Sequence, residues 1–302
     1  MKISIVILNY KSADITINCL RSLRKINTGK EKIEIIVVDN NSGDDIKTQV
    51  LNNFPEVILL ENSVNLGFSG GSNEGARYAL KNGADAVLFL NNDTIVDKNL
   101  VLELAEEVNK DEVGGVVPKI YFEKGYEFHK ARYKKEDLGK VIWYAGGRMD
   151  WSNLIGQNVG VDEVDNGQFD DRKEIKLATG CCFMVSSKTL NRVGLYDDKY
   201  FLYYEDADLS ERINRAGLKI IYQPKAILWH KNAGSSGGSG SELQDYYISR
   251  NRMLFGMKYA PIKTKTALIK ESLRLLTIGR KWQKKGIKDY YRGKFGKGSY
   301  NI

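Results

Sequence analysis

Four carboxylates and one histidine stand where a reaction could use them. Asp93 ends "AVLFLNND", a run that is apolar until it meets Asn91 and Asn92. Glu205, Asp206 and Asp208 open "EDADLSERINRAG", just behind the aromatic-rich run Phe201 to Tyr204. His230 closes "AILWH". An aspartate oxygen and an imidazole nitrogen can share a divalent cation and leave open positions for phosphate. Acids at a helix start cap free N–H groups and complement the dipole. The same field favours the ionised carboxylate, which makes it a ready base. From the residues alone both roles stay open, and so does a plain core role for His230. The stretch "NLGFSGGSNEG" adds Gly67, Gly70, Gly71 and Gly75 around a helix start. Such a loop lets a backbone approach phosphate closely. It is no P-loop, because it lacks the Gly-Lys-Ser/Thr ending.

These residues need elements to position them. "ISIVIL", apolar and β-branched, reads as a strand buried on both faces, and "IEIIVVD", "EVILLE" and "ADAVLFLNND" read as three more strands. Helical spacing follows between them: a helix capped by Ser12, one starting near Ser72 and stopped by Asn82-Gly83, and "NLVLELAEEVNK". Alternation of strand and helix to about residue 110 predicts a mainly parallel sheet with helices on its faces, an α/β fold. Ligands of such sheets sit at the carboxyl ends of the strands. There the chain places Asn9-Tyr10, Asp39-Asn40-Asn41 and Asn91-Asn92-Asp93. After Val113 the pattern turns irregular. "VIWYAGGRMD" and "LIGQNVG" read as short strands and turns, "KLATGCCFMVS" and "LKIIYQPKAILWH" as strands, and "DLSERINRAG" as a helix ended by Gly217. "GSSGGSGS", residues 234–241, reads as a mobile lid or linker ahead of a helix from Glu242 to about Tyr259.

Bulk properties narrow the class. The chain has 302 residues and no uninterrupted apolar window of roughly 18 residues, the length of a membrane span. "MKISIVILNY" reads as a strand and not as a signal peptide. Cys19, Cys181 and Cys182 form neither a disulfide framework nor a zinc pattern, which points to a reducing cytoplasm. The net charge of +8 is uneven: residues 261–302 hold 12 Lys and Arg against two acids, or +10, which leaves −2 on residues 1–260. Leu275, Leu276, Ile278, Trp282, Tyr290, Tyr291 and Phe295 interleave with that charge. A solvated helical surface would account for it, and so would contact with an anionic membrane. No nucleic-acid recognition motif accompanies the charge, so nucleic acid is not an expected partner.

Taken in order, "SIVILNY", "IIVVDNNSGD", "NLGFSGGSNEG", "LFLNNDT", "TGCCFMVS", "VGLYDDKYFLYYEDADLSERINRAGLKIIYQPKAILWH" and "YYISRNRMLF" resemble family-two glycosyltransferases of GT-A fold, close to the rhamnosyltransferase-like branch. The likeness covers most of residues 1–255. It implies that Asn9, Tyr10 and Asp39 surround the nucleoside. Asn65, Gly70, Gly71 and Asn73 would flank the nucleotide. Asn91, Asn92 and Asp93 would stand for the family's D-x-D, with Asp93 and His230 on Mg²⁺ or Mn²⁺. Gly180 and Glu205 would border the donor sugar, and Asp206 would be the catalytic base. Inversion at the anomeric carbon also comes from the resemblance. Asn91, where the first acid of D-x-D belongs, is a neutral and weaker ligand than a carboxylate.

The expectation is therefore a cytoplasmic enzyme of cell-surface polysaccharide synthesis, in contact with the inner membrane face. It would move a sugar from a UDP- or dTDP-linked donor, dTDP-rhamnose included, to a glycan or lipid-linked acceptor. The expected division is a glycosyltransferase domain at 1–240, with a nucleotide-binding half at 1–112 and an acceptor and catalytic half at 113–240. A basic helical extension at 241–302 would follow. Two rival readings are a nucleotide-sugar-binding protein without catalysis and a sugar nucleotidyltransferase. The second normally has a glycine-rich phosphate loop after the first strand, where this chain reads "NYKSAD".

Overall fold

The computed structural model describes residues 1–231 and 240–300. The first half alternates as its apolar runs predict: β1 (Lys2–Asn9), α1 (Ala13–Leu23), β2 (Lys32–Asp39), α2 (Ile46–Asn53), β3 (Ile58–Glu61), α3 (Gly67–Lys81) and β4 (Ala86–Asn91). Next come β5 (Thr94–Val96), α4 (Leu100–Val108) and β6 (Val113–Phe122). The irregular region holds β7 (Ile142–Tyr144), β8 (Gly147–Asp150), β9 (Ile155–Asn158) and β10 (Lys173–Ile175). It is followed by β11 (Cys182–Ser186), α5 (Ser187–Val193), α6 (Glu205–Arg215) and β12 (Lys219–His230). Three helices close the chain: α7 (Glu242–Tyr259), α8 (Ile262–Ile278) and α9 (Lys281–Tyr291).

Among the described residues one large sheet runs β10-β12-β6-β11-β4-β1-β2-β3, with β5 paired to β12 and β7 to β6. The pairs β1–β2, β1–β4, β2–β3 and β6–β12 are parallel, while β11 runs antiparallel between β4 and β6. The sheet is thus mixed and mainly parallel, as expected. Ile5, Ile7, Val37 and Leu88 on one face and Val6, Ile36, Val87 and Phe89 on the other are all buried, so the sheet interior is apolar on both faces. Register then brings polar strand ends together, because Asn9 lies opposite Asp39 and Leu8 opposite Asn91.

Four local expectations change. Helix α3 begins at Gly67, five residues before Ser72. Its first N–H, that of Gly67, donates locally to Asn65 Oδ1 at 2.8 Å. The next two, Phe68 and Ser69, donate to the Phe201 carbonyl at 2.7 and 3.2 Å, a partner far along the chain that no local pattern announces. Gly67 has φ +73°, and a Cβ there would lie 2.4 Å from the Phe201 oxygen. Ser12 occupies the cap position of α1, but its side chain makes no cap bond. Asp44 takes that role, its Oδ2 accepting from Ala13 N at 3.0 Å. The strand in "KLATGCCFMVS" covers only Cys182–Ser186, because Gly180 N turns away to donate to Asp206. Strand β6, "VGGVVPKIYF", went unread because its glycines and Pro118 mask the apolar run. Residues 232–239, most of the segment read as lid or linker, lie outside the described residues. Ser241 caps α7, accepting from Gln244 N at 3.3 Å.

Candidate active site

A cleft of about 410 Å³ opens at the carboxyl ends of β1 and β4. Its walls carry Asn91, Asn92 and Asp93 from the end of β4, His230 from the end of β12, and Glu205 and Asp206 from the start of α6. Tyr10, Asn65 and Gly180 line it too. Residues as distant in sequence as Tyr10 and His230 are thus neighbours, as the parallel strands require.

Asp206 is half-buried. Gly180 N donates to its Oδ2 at 3.0 Å and Ala207 N to its Oδ1 at 2.7 Å. Burial raises this carboxyl above the usual aspartate range, while those N–H groups pull the other way. Next to it Glu205 is 6% exposed, and its Oε2 is buried without a hydrogen-bond partner. Burial first, and the Asp206 charge second, push the Glu205 carboxyl well up. Asp208 behaves oppositely. Burial works against its charge, yet Arg212 Nε and Lys258 Nζ, each at 2.7 Å, hold it below the usual range. It has no exposure and serves the scaffold.

His230 Nε2 lies 3.1 Å from Asp93 Oδ1. His230 is 5% exposed, packs edge-on against Trp143 at 4.5 Å between ring centroids, and leaves Nδ1 without a partner. Two ligand atoms at right angles on a cation, each bonded at about 2.1 Å, would stand about 3 Å apart. The Asp93–His230 pair fits that bite. Among the described residues no third His, Cys, Asp or Glu completes a ligand cluster. Remaining positions would therefore go to phosphate oxygens, Asn91 or water. The thiols are no alternative nucleophile, since all three cysteines are buried and burial pushes Cys19 up to about 12.

Other expected residues stand behind the cleft wall. Asn9 has no exposure; its Nδ2 donates to Ser42 Oγ at 2.9 Å and its Oδ1 accepts from Thr16 Oγ1 at 2.7 Å. Asp39 accepts from Ser42 N at 3.2 Å at the end of β2. Asn73 is a strut, bonded to both the N–H and the carbonyl of Tyr196 at 3.1 and 2.8 Å. Gly71 gives helix–strand clearance, because a Cβ would come within 2.5 Å of Leu8 Cδ1. Gly70 faces an adjoining hollow that Tyr10 and Asn65 also line. Asn92 lines the cleft while its Nδ2 ties β4 to α1 through Ser12 and Thr16, both at 2.8 Å.

Sequence reasoning missed three supports. Asn40 is 1% exposed, and it bridges Asn62, Asn65, Leu66 and Gly67 at 2.9 to 3.1 Å. Arg250 and Asn251 have no exposure and bond to the turn before Glu205. The "SRN" in "YYISRNRMLF" was their only signal.

Comparison with known proteins bears on the family and the fold. The family model described as "Glycosyl transferase family 2" matches residues 4–194, which ends before Glu205. The low-salt glycan biosynthesis hexosyltransferase Agl10 of Haloferax volcanii is 24% identical over 253 residues, covering 83% of this chain and 74% of its own. The N-acetylglucosaminyl-diphospho-decaprenol L-rhamnosyltransferase of Mycobacterium tuberculosis is 23% identical over 231 residues, covering 72% and 73%. Among solved structures, GalNAc-T7 with UDP, GalNAc and Mn²⁺ superposes with a TM-score of 0.64 at 17% identity. That match covers 93% of this chain and 58% of the other.

Proposed function

The chain belongs to glycosyl transferase family 2 and has the GT-A fold, and from that premise we propose how this glycosyltransferase works and on what. The donor is a UDP- or dTDP-linked sugar, and the relative named an L-rhamnosyltransferase favours rhamnose as that sugar. The acceptor is a hydroxyl of a growing glycan or a lipid-linked sugar in cell-envelope polysaccharide synthesis.

One observation carries the reading. A carboxyl with a raised pKa, Asp206, shares a cleft with the paired Asp93 and His230. Asp206 takes the proton from the acceptor hydroxyl as its oxygen attacks the anomeric carbon. The bond from that carbon to the diphosphate oxygen breaks in the same displacement, which inverts the centre. Two backbone N–H groups, one to each oxygen, fix the orientation of the Asp206 carboxylate and leave a lone pair on each oxygen for the acceptor proton. Asp93 and His230 would hold Mg²⁺ or Mn²⁺. When bound, the cation offsets charge developing on the leaving diphosphate. Tyr10, Asn65 and Asn91 line the donor side, Gly180 and Glu205 the sugar side.

Residues 1–240 act as the transferase domain and 241–302 as a basic helical extension that meets the anionic cytoplasmic face of the membrane. No helix among the described residues is long and apolar enough to cross a membrane. Helix α8 instead exposes Ile262, Ile269 and Leu273 at a spacing that puts them on one face, amid Lys263, Lys270 and Arg274. The deciding experiment for the activity is nucleotide release across a panel of nucleotide sugars, with and without Mn²⁺ or Mg²⁺. Release of no nucleotide from any donor would overturn the reading.

A further inference from the structure

The turn ahead of the two cleft acids is held in a costly shape from outside. Phe201, Tyr203 and Tyr204 have φ of +65°, +70° and +74°. Aromatic side chains rarely adopt that region, and each such residue costs about 1–3 kcal/mol. The strain persists because the carbonyls of the turn are gripped. Asn251 Nδ2 lies 2.9, 2.8 and 2.8 Å from the carbonyls of Tyr200, Leu202 and Tyr203, its two N–H groups shared among the three. Arg250 Nη2 donates to Lys199 and Tyr200 at 3.1 and 2.9 Å. The pair is itself locked, with Arg250 Nε bonded to Asn251 Oδ1 at 3.0 Å and Nη1 to the Gly296 carbonyl at 2.6 Å. From the other side, the Phe68 and Ser69 N–H groups of α3 hold the Phe201 carbonyl. Glu205 begins α6 directly after this turn, and Asp206 follows.

We propose that Arg250 and Asn251 are positioning residues for the transfer reaction: they clamp the 200–204 turn and thereby aim Glu205 and Asp206 into the cleft. The proposal rests on Asp206 as the base. Neither residue lines the cleft, so each acts only through the turn. The chemistry asks for these side chains. A guanidinium reaches two carbonyls from one rigid fork, which a lysine ammonium does not. An asparagine donates where an aspartate of the same size only accepts and would face three carbonyl oxygens. Misplacing a reacting group by about 1 Å costs about 100-fold in rate.

The test uses the full chain with Asn251→Asp, Asn251→Ala, Arg250→Lys and Arg250→Ala. Transfer kinetics are measured with the donor that the panel identifies, and UDP or dTDP binding by calorimetry. The expected result is a kcat about 100-fold lower in Asn251→Asp with nucleotide affinity within about threefold of the wild type. Arg250→Lys should recover part of what Arg250→Ala loses. Asp206→Asn/Asn251→Ala should be no slower than Asp206→Asn alone, because a clamp acting through Asp206 has nothing left to aim. A folded Asn251→Asp enzyme within twofold of wild-type kcat would overturn the clamp, and so would losses that multiply in the double variant. Should Asn251→Asp fail to fold, Arg250→Lys, which keeps the charge, decides by the same kcat criterion. Full turnover in Asp206→Asn would instead refute the base assignment, a result separable from the kcat of the Asn251 variants.

Discussion

Asp206→Asn separates the chemistry from the architecture. Both carboxylate oxygens accept backbone N–H groups, Gly180 at 3.0 Å and Ala207 at 2.7 Å. An amide has one oxygen and one NH₂, so whichever way it turns, one of those N–H groups faces a donor. Losing that acceptor costs about 1–3 kcal/mol of stability. Losing the base costs a rate factor of about 10²–10⁴, or about 2.7–5.5 kcal/mol in the barrier. The two losses fall on different observables, the first on urea or thermal unfolding and the second on kcat. Nucleotide binding should be unchanged, because in the proposed site the diphosphate would be held through Asp93 and His230 and their cation. The pH profile adds a check. Wild-type kcat should decline as pH drops through a midpoint above about 3.9, the ordinary aspartate value, since burial raises Asp206. The variant's residual rate should lack that step. Turnover within tenfold of wild type, or nucleotide affinity lost along with turnover, would refute the assignment.

Other outcomes follow from the same geometry. Excess chelator should abolish transfer, and His230→Ala should raise the Mn²⁺ concentration needed for half-maximal rate; full activity in chelator refutes the cation site. Glu205→Gln should gain stability over wild type at pH 8 but not at pH 4. A carboxyl raised by burial favours the folded state below its unfolded pKa of about 4.3 and loses that contribution as pH climbs through the native value; equal offsets in urea melts at both pH values would sink this account. Ile262→Glu with Leu273→Glu should lower co-sedimentation with phosphatidylglycerol vesicles while leaving phosphatidylcholine binding weak throughout. Unchanged binding would move the membrane contact off α8, where these side chains are 83% and 55% exposed.

The sequence was most legible where one physical cause acts alone. Apolar runs, β-branched in β1 and at residues 36–38 of β2 but mostly Leu and Phe in β4, mark these strands because both faces are buried there. Gly83 and Gly217 mark helix ends because φ of +76° at each favours glycine. Legibility failed where the cause lies elsewhere in the chain. The N–H groups of Phe68 and Ser69 in the first turn of α3 depend on the Phe201 carbonyl, and the cap of α1 on Asp44. Polar residue types also misled by being right for two jobs. Asn9 and Asn73 look like ligand contacts, yet each spends its amide on internal hydrogen bonds. An amide donates and accepts at once, so it can bracket irregular backbone from inside, which a carboxylate cannot.

The same distinction explains the pair of asparagines ahead of Asp93. Asn92 needs its NH₂, which joins β4 to Ser12 and Thr16 at the start of α1. A carboxylate there would face two hydroxyl oxygens and could hold them only as donors. Asp93, by contrast, sits where backbone pairing has already set its partner. His230 lies opposite Thr94 in the β5–β12 ladder, and Lys231 N donates to the Asp93 carbonyl at 2.8 Å. The 3.1 Å approach of His230 to Asp93 thus follows from sheet register, although they stand 137 positions apart in the sequence. That is why no local spacing could reveal it. In the proposed cation site this register would also make room for Asn91 in place of an acid: the sheet would fix the ligand pair, and Asn91 would have only to supply a neutral oxygen beside it.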